Sequence, residues 1–506
     1  MSSPSPSIAD ALDPTTIGPQ PSKRRLLLAH DVGGKSIGGA SLRMVLDAPD
    51  ADEFLEIPCS GLEVVTEACE VGTHCEPAMR GLSDDSLIDI LLTAAQKLSE
   101  DQQLPNILVR ETGKTISEAR TEIASASRIL RHYAGSIPEA SRGWVDTSSS
   151  NSVWGMVVPE PVGLCVLVLP WNLPVQILAH KLGAALSARC PAIVKPSPQA
   201  PMSTHHLVAA FRGTGLPDGA VSIVHGGNET VHALLRDPHT RMASFTGGTG
   251  AGREVRISAA TSGIRLITEL GGKSPNIVLD DADLDAATDA ILSGLVRNQG
   301  ATCTAPTRLL VARTVMPEIR ELLSRKLRDL VPGDPFLDDS KIGALRGFSE
   351  AKRIQTILSH ARKTAVSVEG GDIVEVPGRT GAYMLPAIAW EPPSKSDLVI
   401  KELFAPILTV EVFERDGDGP LMANSSDYGL SAGVWSSNIE RARKVSAALR
   451  TGTVHINHYG RKDSIALPSS GRGSSGIGAE GGFAGIREFQ EQRAIHIAKE
   501  ISQHGR

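Results

Sequence analysis

The spacing of apolar residues predicts two long helices in the first third of the chain. Apolar positions recur every three or four residues through LIDILLTAAQKL and again through ISEARTEIASASRILRHYAG, between Ser83 and about Gly135. The segment SVWGMVVPEPVG then alternates between apolar and other residues and contains prolines. That pattern favours a β-ribbon at the edge of a fold rather than a central strand.

Strand-like and helix-like segments alternate from residue 163 onward. LCVLVLP, AIVKPS and VSIVHG are typical of buried strands, and the intervening KLGAALSARC and HHLVAAFRGTG are typical of helices. Such alternation predicts a parallel sheet with helices on both faces. From about Gly271 the pattern resumes with the strand TRLLVA and the helices MPEIRELLSRKLRDL and IERARKVSAALR, which predicts a second α/β domain.

Composition narrows the class of protein. The chain has 506 residues, of which 41% are hydrophobic and 21% charged, with a formal net charge of -6. This length predicts two or three domains, and the charge gives no electrostatic footprint for nucleic acid. No apolar run reaches the roughly 18 to 20 residues that span a bilayer. We therefore expect a multidomain enzyme that binds neither nucleic acid nor membrane.

The cysteines indicate a reducing compartment. All six are dispersed, at positions 59, 69, 75, 165, 190 and 303, without the spacing of a metal site or of a disulfide framework. We expect no metal site. Residues 1–25 are rich in serine and proline and end in the basic cluster Lys23 to Arg25, the reverse of the order in a secretory signal. This predicts a disordered tail and a cytoplasmic protein.

Two segments contain the residue types of nucleophilic catalysis. Cys303 ends the string NQGATC, and Glu269 begins ELGGKSP. A thiol and a carboxylate on one chain can act as a nucleophile and as a base that activates water. An isolated cysteine more often packs as a small hydrophobic residue, and an isolated glutamate is usually a surface residue. Gly300 favours the first interpretation, because it lets a ligand approach the backbone closely.

Two further segments predict an oxyanion site and a phosphate site. Asn172 lies in PWN after a predicted strand, where its amide could donate to an oxygen that becomes negative. SFTGGTGAG, residues 244–252, is typical of a strand, a glycine turn and the start of a helix. That arrangement directs backbone N–H groups and a helix dipole at a phosphate.

From about position 110 to its end the chain resembles the aldehyde dehydrogenase superfamily. The motifs that carry the resemblance are NQGATC, ELGGKSP, PWN, SFTGGTGAG and KELFAP. The resemblance implies an α/β fold with a Rossmann-like cofactor-binding domain, an α/β catalytic domain and a small β-ribbon for oligomerisation. We place the cofactor-binding domain at 26–142 and 163–270, the catalytic domain at 271–470 and the ribbon at 143–162 and 484–500. A homodimer or homotetramer is implied.

The resemblance also implies the reaction. Cys303 adds to a small-molecule aldehyde, Asn172 and the backbone N–H of the nucleophile hold the oxyanion, and Glu269 activates the water that hydrolyses the thioester. A lowered thiol pKa would assist the first step. Lys181 matches a lysine that lies near the thiol in the family. The alternative is that Lys181 is a solvated lysine on the surface of a helix. Two other interpretations stay open, which are acyl transfer to coenzyme A and a catalytically silent structural relative.

The implied cofactor is NAD or NADP. Lys195 matches a lysine that binds the adenosine ribose, and Pro198 stands where the family often has a glutamate that repels a 2′-phosphate. We therefore expect NADP to be accepted. Gly248 replaces a serine of the family's glycine turn. The residues expected to contact the cofactor are Leu169, Pro170, Trp171, Lys195, Pro198, Gly227, Phe245, Thr246, Gly247, Gly248, Leu270, Glu402 and Phe404.

Three basic positions suggest an anionic substrate. Arg297 lies six residues before Cys303, where semialdehyde dehydrogenases resemble this chain in having arginine. His180 and Arg461 are expected near the same tunnel. A guanidinium can bind a carboxylate in a bidentate way, which makes an anionic semialdehyde the expected substrate. The alternative is that Arg297 pairs with an acid of the protein or faces solvent.

Overall fold

The computed structural model describes residues 26–39, 41–146, 153–364, 366–460 and 465–498. The expected tail at 1–25 and the candidate substrate residue Arg461 lie outside these described residues. Within them, the α-helices are α1 (Leu62–Arg80), α2 (Asp84–Glu100), α3 (Leu104–Thr112), α4 (Ile116–Ala140), α5 (Pro174–Ser187), α6 (Met202–Ala210), α7 (Asn228–Arg236), α8 (Thr249–Ser262), α9 (Leu284–Val296), α10 (Met316–Leu327), α11 (Phe348–Lys363), α12 (Asp397–Ile400), α13 (Asp418–Ala423), α14 (Ile439–Ala447) and α15 (Gly482–Glu488).

The β-strands of the same residues form several sheets. They are β1 (Leu26–Leu27), β2 (His30–Val32), β3 (Lys35–Ile37), β4 (Ser41–Asp47), β5 (Asp52–Cys59), β6 (Trp144–Asp146), β7 (Val153–Pro161), β8 (Cys165–Val168), β9 (Ala192–Lys195), β10 (Val221–Ile223), β11 (Met242–Thr246), β12 (Arg265–Glu269), β13 (Pro275–Val278), β14 (Arg308–Ala312), β15 (Ser367–Gly370), β16 (Ile373–Val374), β17 (Tyr383–Met384), β18 (Ala387–Trp390), β19 (Ile407–Phe413), β20 (Tyr428–Gly429), β21 (Ser431–Trp435), β22 (Thr453–Ile456), β23 (Arg472–Gly473), β24 (Gly476–Ile477) and β25 (Gln490–Ala498).

The first large sheet has eight strands in the order β24-β12-β11-β8-β9-β10-β2-β3. Its five central strands, from β12 to β10, run parallel, and β24 and β2 join the edges antiparallel. Leu167 packs on the side of α4 and α5, while its neighbours Val166 and Val168 pack on the side of α1, α7 and α8. Successive side chains of a strand point to opposite faces. The predicted parallel sheet with two helical layers is therefore confirmed.

The second large sheet has seven strands in the order β15-β18-β19-β14-β13-β21-β22. All neighbours are parallel except β15, which runs antiparallel to β18. The chain changes sheets between Glu269, the last residue of β12, and Pro275, the first of β13. The loop ELGGKSP thus links the two sheets, which places its glutamate at the end of a strand of the first.

A three-stranded antiparallel sheet forms from β25, β7 and β6. The predicted ribbon strand is present as Val153–Pro161, and its C-terminal partner is Gln490–Ala498. The predicted segment 484–500 contains the end of the helix Gly482–Glu488 as well as this strand, and its use in oligomerisation stays a prediction. Side chains of Trp144, Trp154 and Ile497 on this sheet are exposed.

Local signals explain where several helices begin. Thr115 and Glu118 form a reciprocal capping box at the first turn of α4, and Ser83 caps α2 through a bond from Ser86 N. Pro174 occupies the first turn of α5, where its missing N–H costs no hydrogen bond. None of the helices in the described part of the chain combines the length and apolar character needed to cross a bilayer.

Candidate active site

One large cavity, of about 1430 Å³, lies between the two large sheets. Its walls include Asn172 from the loop after β8, Glu269 from the end of β12 and Cys303 from the loop after α9. Asn172 and Cys303 thus meet although they are more than 130 positions apart, and Asn172 and Glu269 lie at the ends of parallel strands, which is where α/β folds place their ligands.

The loop before Cys303 has an unusual backbone. Asn298, Gln299 and Gly300 have φ values of 50°, 53° and 75°, three successive residues in the left-handed region. Asparagine and glycine tolerate this conformation, whereas glutamine resists it. The side-chain amide of Gln299 donates to the carbonyl of Thr112 at 3.2 Å and to that of Ala344 at 2.6 Å. These bonds hold the strained loop in place.

Asn298 joins this loop to two other segments. Its backbone N–H donates to the Glu118 carboxylate at 2.6 Å, and its side-chain amide donates to the carbonyls of Asn172 and Ala301, both at 3.0 Å. The first turn of α4 is therefore bonded directly to the loop that carries Cys303.

A buried ion pair fixes the Asn172 loop to the same helix. Lys114 pairs with Glu122 and also donates to the carbonyl of Asn172 at 2.9 Å. Glu122 in turn accepts the backbone N–H groups of Val175 and Gln176 at 2.9 and 3.1 Å, at the start of α5. Both ions are almost fully buried. We call Lys114, Glu118 and Glu122 the α4 bracket.

The thiol of Cys303 is partly exposed on the cavity wall. Its pKa is raised to about 12, first by burial and then by the carboxylates of Glu402 and Glu269. The lowered thiol pKa that would assist the first step is therefore not present in this structure, because burial and two acids all raise it. The resting thiol is protonated at neutral pH, and a base has to remove its proton.

Glu269 lies at the end of β12, opposite Gly476 of β24, with 8% of its surface exposed. Glu402 faces it across the glycines that follow, and accepts the N–H of Gly272 at 3.0 Å. A Cβ on Gly271 would lie 2.2 Å from the Glu402 carboxylate. Burial raises the pKa of Glu402 to about 7. The glycines of ELGGKSP thus permit two carboxylates to approach the thiol.

Asn172 is buried, and its side-chain amide donates to the carbonyl of Ala301 at 2.8 Å. A carboxamide nitrogen has two hydrogens, so this bond leaves a second donor. Asn172 lines the cavity together with Cys303. Its position therefore suits donation to an atom bound near the sulfur.

Lys181 does not line the cavity. It is buried in α5, forms an ion pair with Glu480, and donates to the hydroxyl of Ser244 at 2.7 Å. A solvated helix lysine is therefore excluded. Glu480 itself lines the cavity, and the sequence interpretation missed it. The string GAEGG around it was the available signal, since glycines on both sides allow close packing.

The residues expected to contact a dinucleotide fall mostly on one side of the cavity. All of them line it except Gly227, whose neighbour Asn228 does so instead. Gly248 is the N-cap of the 14-residue helix α8, and nothing lies within 4 Å of where its Cβ would be. The rings of Trp171 and Phe404 meet edge to face with centroids 5.7 Å apart. The open helix start fits a pyrophosphate, so NAD or NADP fits these residues.

Several basic residues also line the cavity. Arg297 is exposed there as the C-cap of α9, and no described acid forms an ion pair with it. His180 lines the wall and packs edge to face against Tyr133. Arg128 of α4 lines the same cavity and was missed. The first alternative for Arg297, a protein ion pair, therefore finds no support in the described residues.

Comparisons with known proteins agree with this geometry. The sequence profile of the aldehyde dehydrogenase family matches residues 40–495. The chain belongs to the aldehyde dehydrogenase family. The match begins at residue 40, well before position 110, from which the family's motifs can be recognised in the sequence.

Relatives of this aldehyde dehydrogenase differ in substrate and cofactor. It is 32% identical over 468 residues to a probable NADP-dependent succinate-semialdehyde dehydrogenase of Sinorhizobium fredii, covering 91% of this chain and 94% of the relative. It is 30% identical over 475 residues to a betaine aldehyde dehydrogenase of Vibrio vulnificus, covering 93% and 97%. An NAD-dependent aldehyde dehydrogenase structure from Sinorhizobium meliloti matches with a TM-score of 0.90 at 27% identity, covering 98% and 99%.

The aldehyde dehydrogenase is thus an NAD(P)-dependent oxidoreductase that oxidises an aldehyde to a carboxylic acid. The cavity supplies what this reaction requires. A thiol, two carboxylates and an amide donor line the same cavity of about 1430 Å³ as the residues expected to contact a dinucleotide.

Proposed function

We propose that Cys303 is the nucleophile, Glu269 the base and Asn172 the oxyanion donor of this oxidation, acting on an anionic semialdehyde. The observation that carries the assignment is the shared cavity wall of these three side chains. The thiol adds to the aldehyde carbon, the carbonyl oxygen becomes the oxyanion, and the thiol proton passes through a nearby carboxylate to solvent, so that the carboxylate is ionised again before hydrolysis. Both Glu402 and Glu269 belong to the electrostatic surroundings of the thiol.

The oxyanion is held by two donors. One is the free hydrogen of the Asn172 amide, whose other hydrogen binds the Ala301 carbonyl at 2.8 Å. The other is the backbone N–H of Cys303. Bound NAD(P)⁺ supplies the acceptor for the hydride that leaves the former aldehyde carbon. Collapse of the oxyanion then leaves a thioester on Cys303.

Hydrolysis of the thioester needs a base on the same side of the sulfur. Glu269 accepts a proton from water, the resulting hydroxide adds to the thioester carbon, and the thiolate leaves and is protonated again. Water as the acyl acceptor fits a carboxylate at this position. The rival interpretation is transfer of the acyl group to coenzyme A. It predicts acyl-CoA as the product, whereas hydrolysis predicts the free acid.

The cofactor site in this proposal lies on the first large sheet. The turn Gly247 and Gly248 receives the pyrophosphate, Lys195 lies at the adenosine end, and Glu402 with Phe404 lies at the nicotinamide end. We keep the division into a cofactor-binding domain at 26–142 and 163–270 and a catalytic domain at 271–470. Lys181 acts from behind the wall, through its ion pair with Glu480.

The substrate assignment depends on the basic side chains that line the cavity. Arg297, Arg128 and His180 line it. A carboxylate gains charge-assisted hydrogen bonds from such groups, whereas a trimethylammonium group meets repulsion. The semialdehyde named for the Sinorhizobium fredii relative is therefore favoured over the betaine aldehyde named for the Vibrio vulnificus relative.

Two coarser properties complete the proposal. The exposed Trp144, Trp154 and Ile497 on the three-stranded sheet support its use as a dimer or tetramer interface. All six cysteines are free, which suits the reducing conditions of a cytoplasmic location.

The experiment that tests the function is an aldehyde panel followed at 340 nm with NAD and with NADP. Succinate semialdehyde should be the better substrate against betaine aldehyde and against neutral aldehydes of similar length. Preferential oxidation of betaine aldehyde would contradict the substrate class. Formation of acyl-CoA in place of free acid, when coenzyme A is present, would contradict hydrolysis.

A further inference from the structure

Arg346 joins the segment before α11, which packs with the second large sheet, to the loop after β9 at the adenosine end of the cavity. It lies two residues before α11, and its guanidinium Nη2 donates to the carbonyl of Gln199 at 3.2 Å. Gln199 belongs to the loop that follows β9, four residues after Lys195. Arg346 lines the cavity and is 8% exposed.

The other two nitrogens of this guanidinium have no hydrogen-bond partner. Nε and Nη1 of Arg346 are both buried, and neither is bonded within the described part of the chain. Buried donors of a charged group are normally bonded, because leaving water without a replacement partner is costly. A buried guanidinium on the wall of a ligand cavity, with one hydrogen bond to a neutral carbonyl, therefore indicates an anion that binds there.

The neighbouring carboxylates do not fill this place. Glu111 influences the Arg346 pKa, but its oxygens accept the backbone N–H groups of Met202 and Ser203 at 2.5 and 3.1 Å. Asp47 is paired with Arg110 at 3.0 Å. No described acid forms an ion pair with Arg346. Within the described residues, the charge of Arg346 is thus left without an ion-pair partner.

The local chemistry selects an anion with several oxygens. Lys195, Ser197 and Pro198 line the cavity beside Arg346 and Gln199, and none of them is acidic. A phosphate dianion matches the charge of a guanidinium and offers several acceptor oxygens to its N–H groups. A glutamate in place of Pro198 would repel such a group.

The position also separates this anion from the pyrophosphate. The pyrophosphate turn follows β11, and Lys195 ends β9, two strands away in the order β11-β8-β9. Neighbouring strands are about 4.8 Å apart, so the two strand ends are roughly 10 Å apart. That separation suits the step from the pyrophosphate to the far side of the adenosine ribose.

We propose that Arg346, with Lys195, binds the 2′-phosphate of NADP and makes this enzyme select NADP over NAD. The inference depends on the cofactor site assigned above, and it adds a residue from the other side of the cavity to that site. Arg346 is a specificity residue for the cofactor and has no part in the chemistry at Cys303.

Calorimetric titration with 2′,5′-ADP and with 5′-ADP tests this inference without turnover. The wild-type chain should bind 2′,5′-ADP more tightly. Arg346→Gln should weaken 2′,5′-ADP binding roughly 10- to 100-fold, the range for a lost charge-assisted hydrogen bond, and leave 5′-ADP binding nearly unchanged. Retained 5′-ADP binding also shows that the variant is folded.

Two further variants sharpen the test. Arg346→Lys keeps the charge but loses the planar guanidinium, and its affinity ratio should lie between those of wild type and Arg346→Gln. Arg353→Gln is a matched control, since Arg353 also lines the cavity and bonds a backbone carbonyl, that of Leu403. It should leave the ratio of the two affinities unchanged.

The inference is overturned if wild type binds 5′-ADP at least as tightly as 2′,5′-ADP, or if both Arg346 variants keep the wild-type ratio. Failure of the proposed function has a different signature. In that case no aldehyde is oxidised with either cofactor, while the preference for 2′,5′-ADP and its dependence on Arg346 persist.

Discussion

Gly272 packs directly against the carbonyl oxygen of Cys303, and a Cβ on Gly272 would lie 2.3 Å from that oxygen. The contact is to backbone, which cannot swing away as a flexible side chain can. Gly272→Ala should therefore displace the nucleophile loop. Because a misplacement of about 1 Å can cost about 100-fold in rate, we expect kcat to fall by roughly that factor.

Gly135→Ala is the matched control for this variant. Gly135 lies inside α4, where no atom is within 4 Å of the place that an added methyl group would take. Alanine should raise helix stability there by roughly 0.5 to 1 kcal/mol and leave kcat unchanged. Equal kcat values for Gly272→Ala and wild type would show that the loop is more tolerant than its packing indicates.

The α4 bracket gives a second prediction. Lys114→Met removes one member of a buried ion pair and leaves Glu122 without its partner. Such a change typically costs about 3 to 5 kcal/mol of unfolding free energy. The turn containing Asn172 should also loosen, since Lys114 donates to its carbonyl. Urea unfolding and kcat measure the two effects.

The double variant Lys114→Met with Glu122→Gln separates stability from positioning. Removing both charges should restore much of the unfolding free energy, whereas the bond to the Asn172 carbonyl stays lost. We expect kcat of the double variant to remain low. Full recovery of kcat would mean that the bracket only stabilises the fold.

Arg297 provides the test of substrate charge. Arg297→Ala should lower kcat/KM for succinate semialdehyde roughly 10- to 100-fold, because a charge-assisted hydrogen bond to the carboxylate is lost. A neutral aldehyde of equal length should be affected little. Arg443→Ala, an exposed arginine outside the cavity, serves as control. Similar losses for charged and neutral aldehydes would remove Arg297 from the substrate site.

Three stacked or adjoining buried histidines predict a pH-dependent stability. His205 and His225 share a ring hydrogen bond of 2.8 Å, and His30 accepts the N–H of His225 at 3.0 Å. Burial lowers the pKa of His30 from 6.5 to about 4 and that of His205 to about 3. The unfolded chain therefore takes up protons that the folded chain does not, and stability falls as pH drops below about 6.5.

The loss of stability that the histidines cause at low pH has to be measured by comparing variants, because buried acids change the stability in the opposite direction. Burial raises the pKa of Glu111 and of Glu402 to about 7, so both add stability as pH falls. His205→Phe should lessen the acid loss of unfolding free energy, and His74→Gln, an exposed histidine, should not. Parallel stability curves for wild type and His205→Phe would argue against the histidine cluster as a source of acid sensitivity.

Short motifs and strand alternation carried much of the information in the sequence. NQGATC, ELGGKSP and SFTGGTGAG each place their chemical group and its glycines within a few residues, so the group and its local backbone could be predicted together. The alternation after residue 163 likewise predicted the first parallel sheet. In contrast, α1 and the short strands before residue 60 have weaker periodicity, and no motif led to them.

Residues that act across the fold could not be predicted in the same way. Glu480 reaches Lys181 from 299 positions away, and Arg346 reaches Gln199 from 147. Nothing near either residue in the sequence specifies its partner. The raised thiol pKa has causes of the same kind, because it depends first on burial of the loop and then on Glu402, which is distant in the sequence.

The central claim is that a thioester on Cys303 is hydrolysed with the help of Glu269. The most direct test is mass spectrometry of Glu269→Gln after mixing with aldehyde and NADP. The account predicts a burst of about one reduced cofactor per subunit and an acyl group on the peptide that contains Cys303. An acyl group on another residue, or an unmodified Cys303 with steady wild-type turnover, would contradict it.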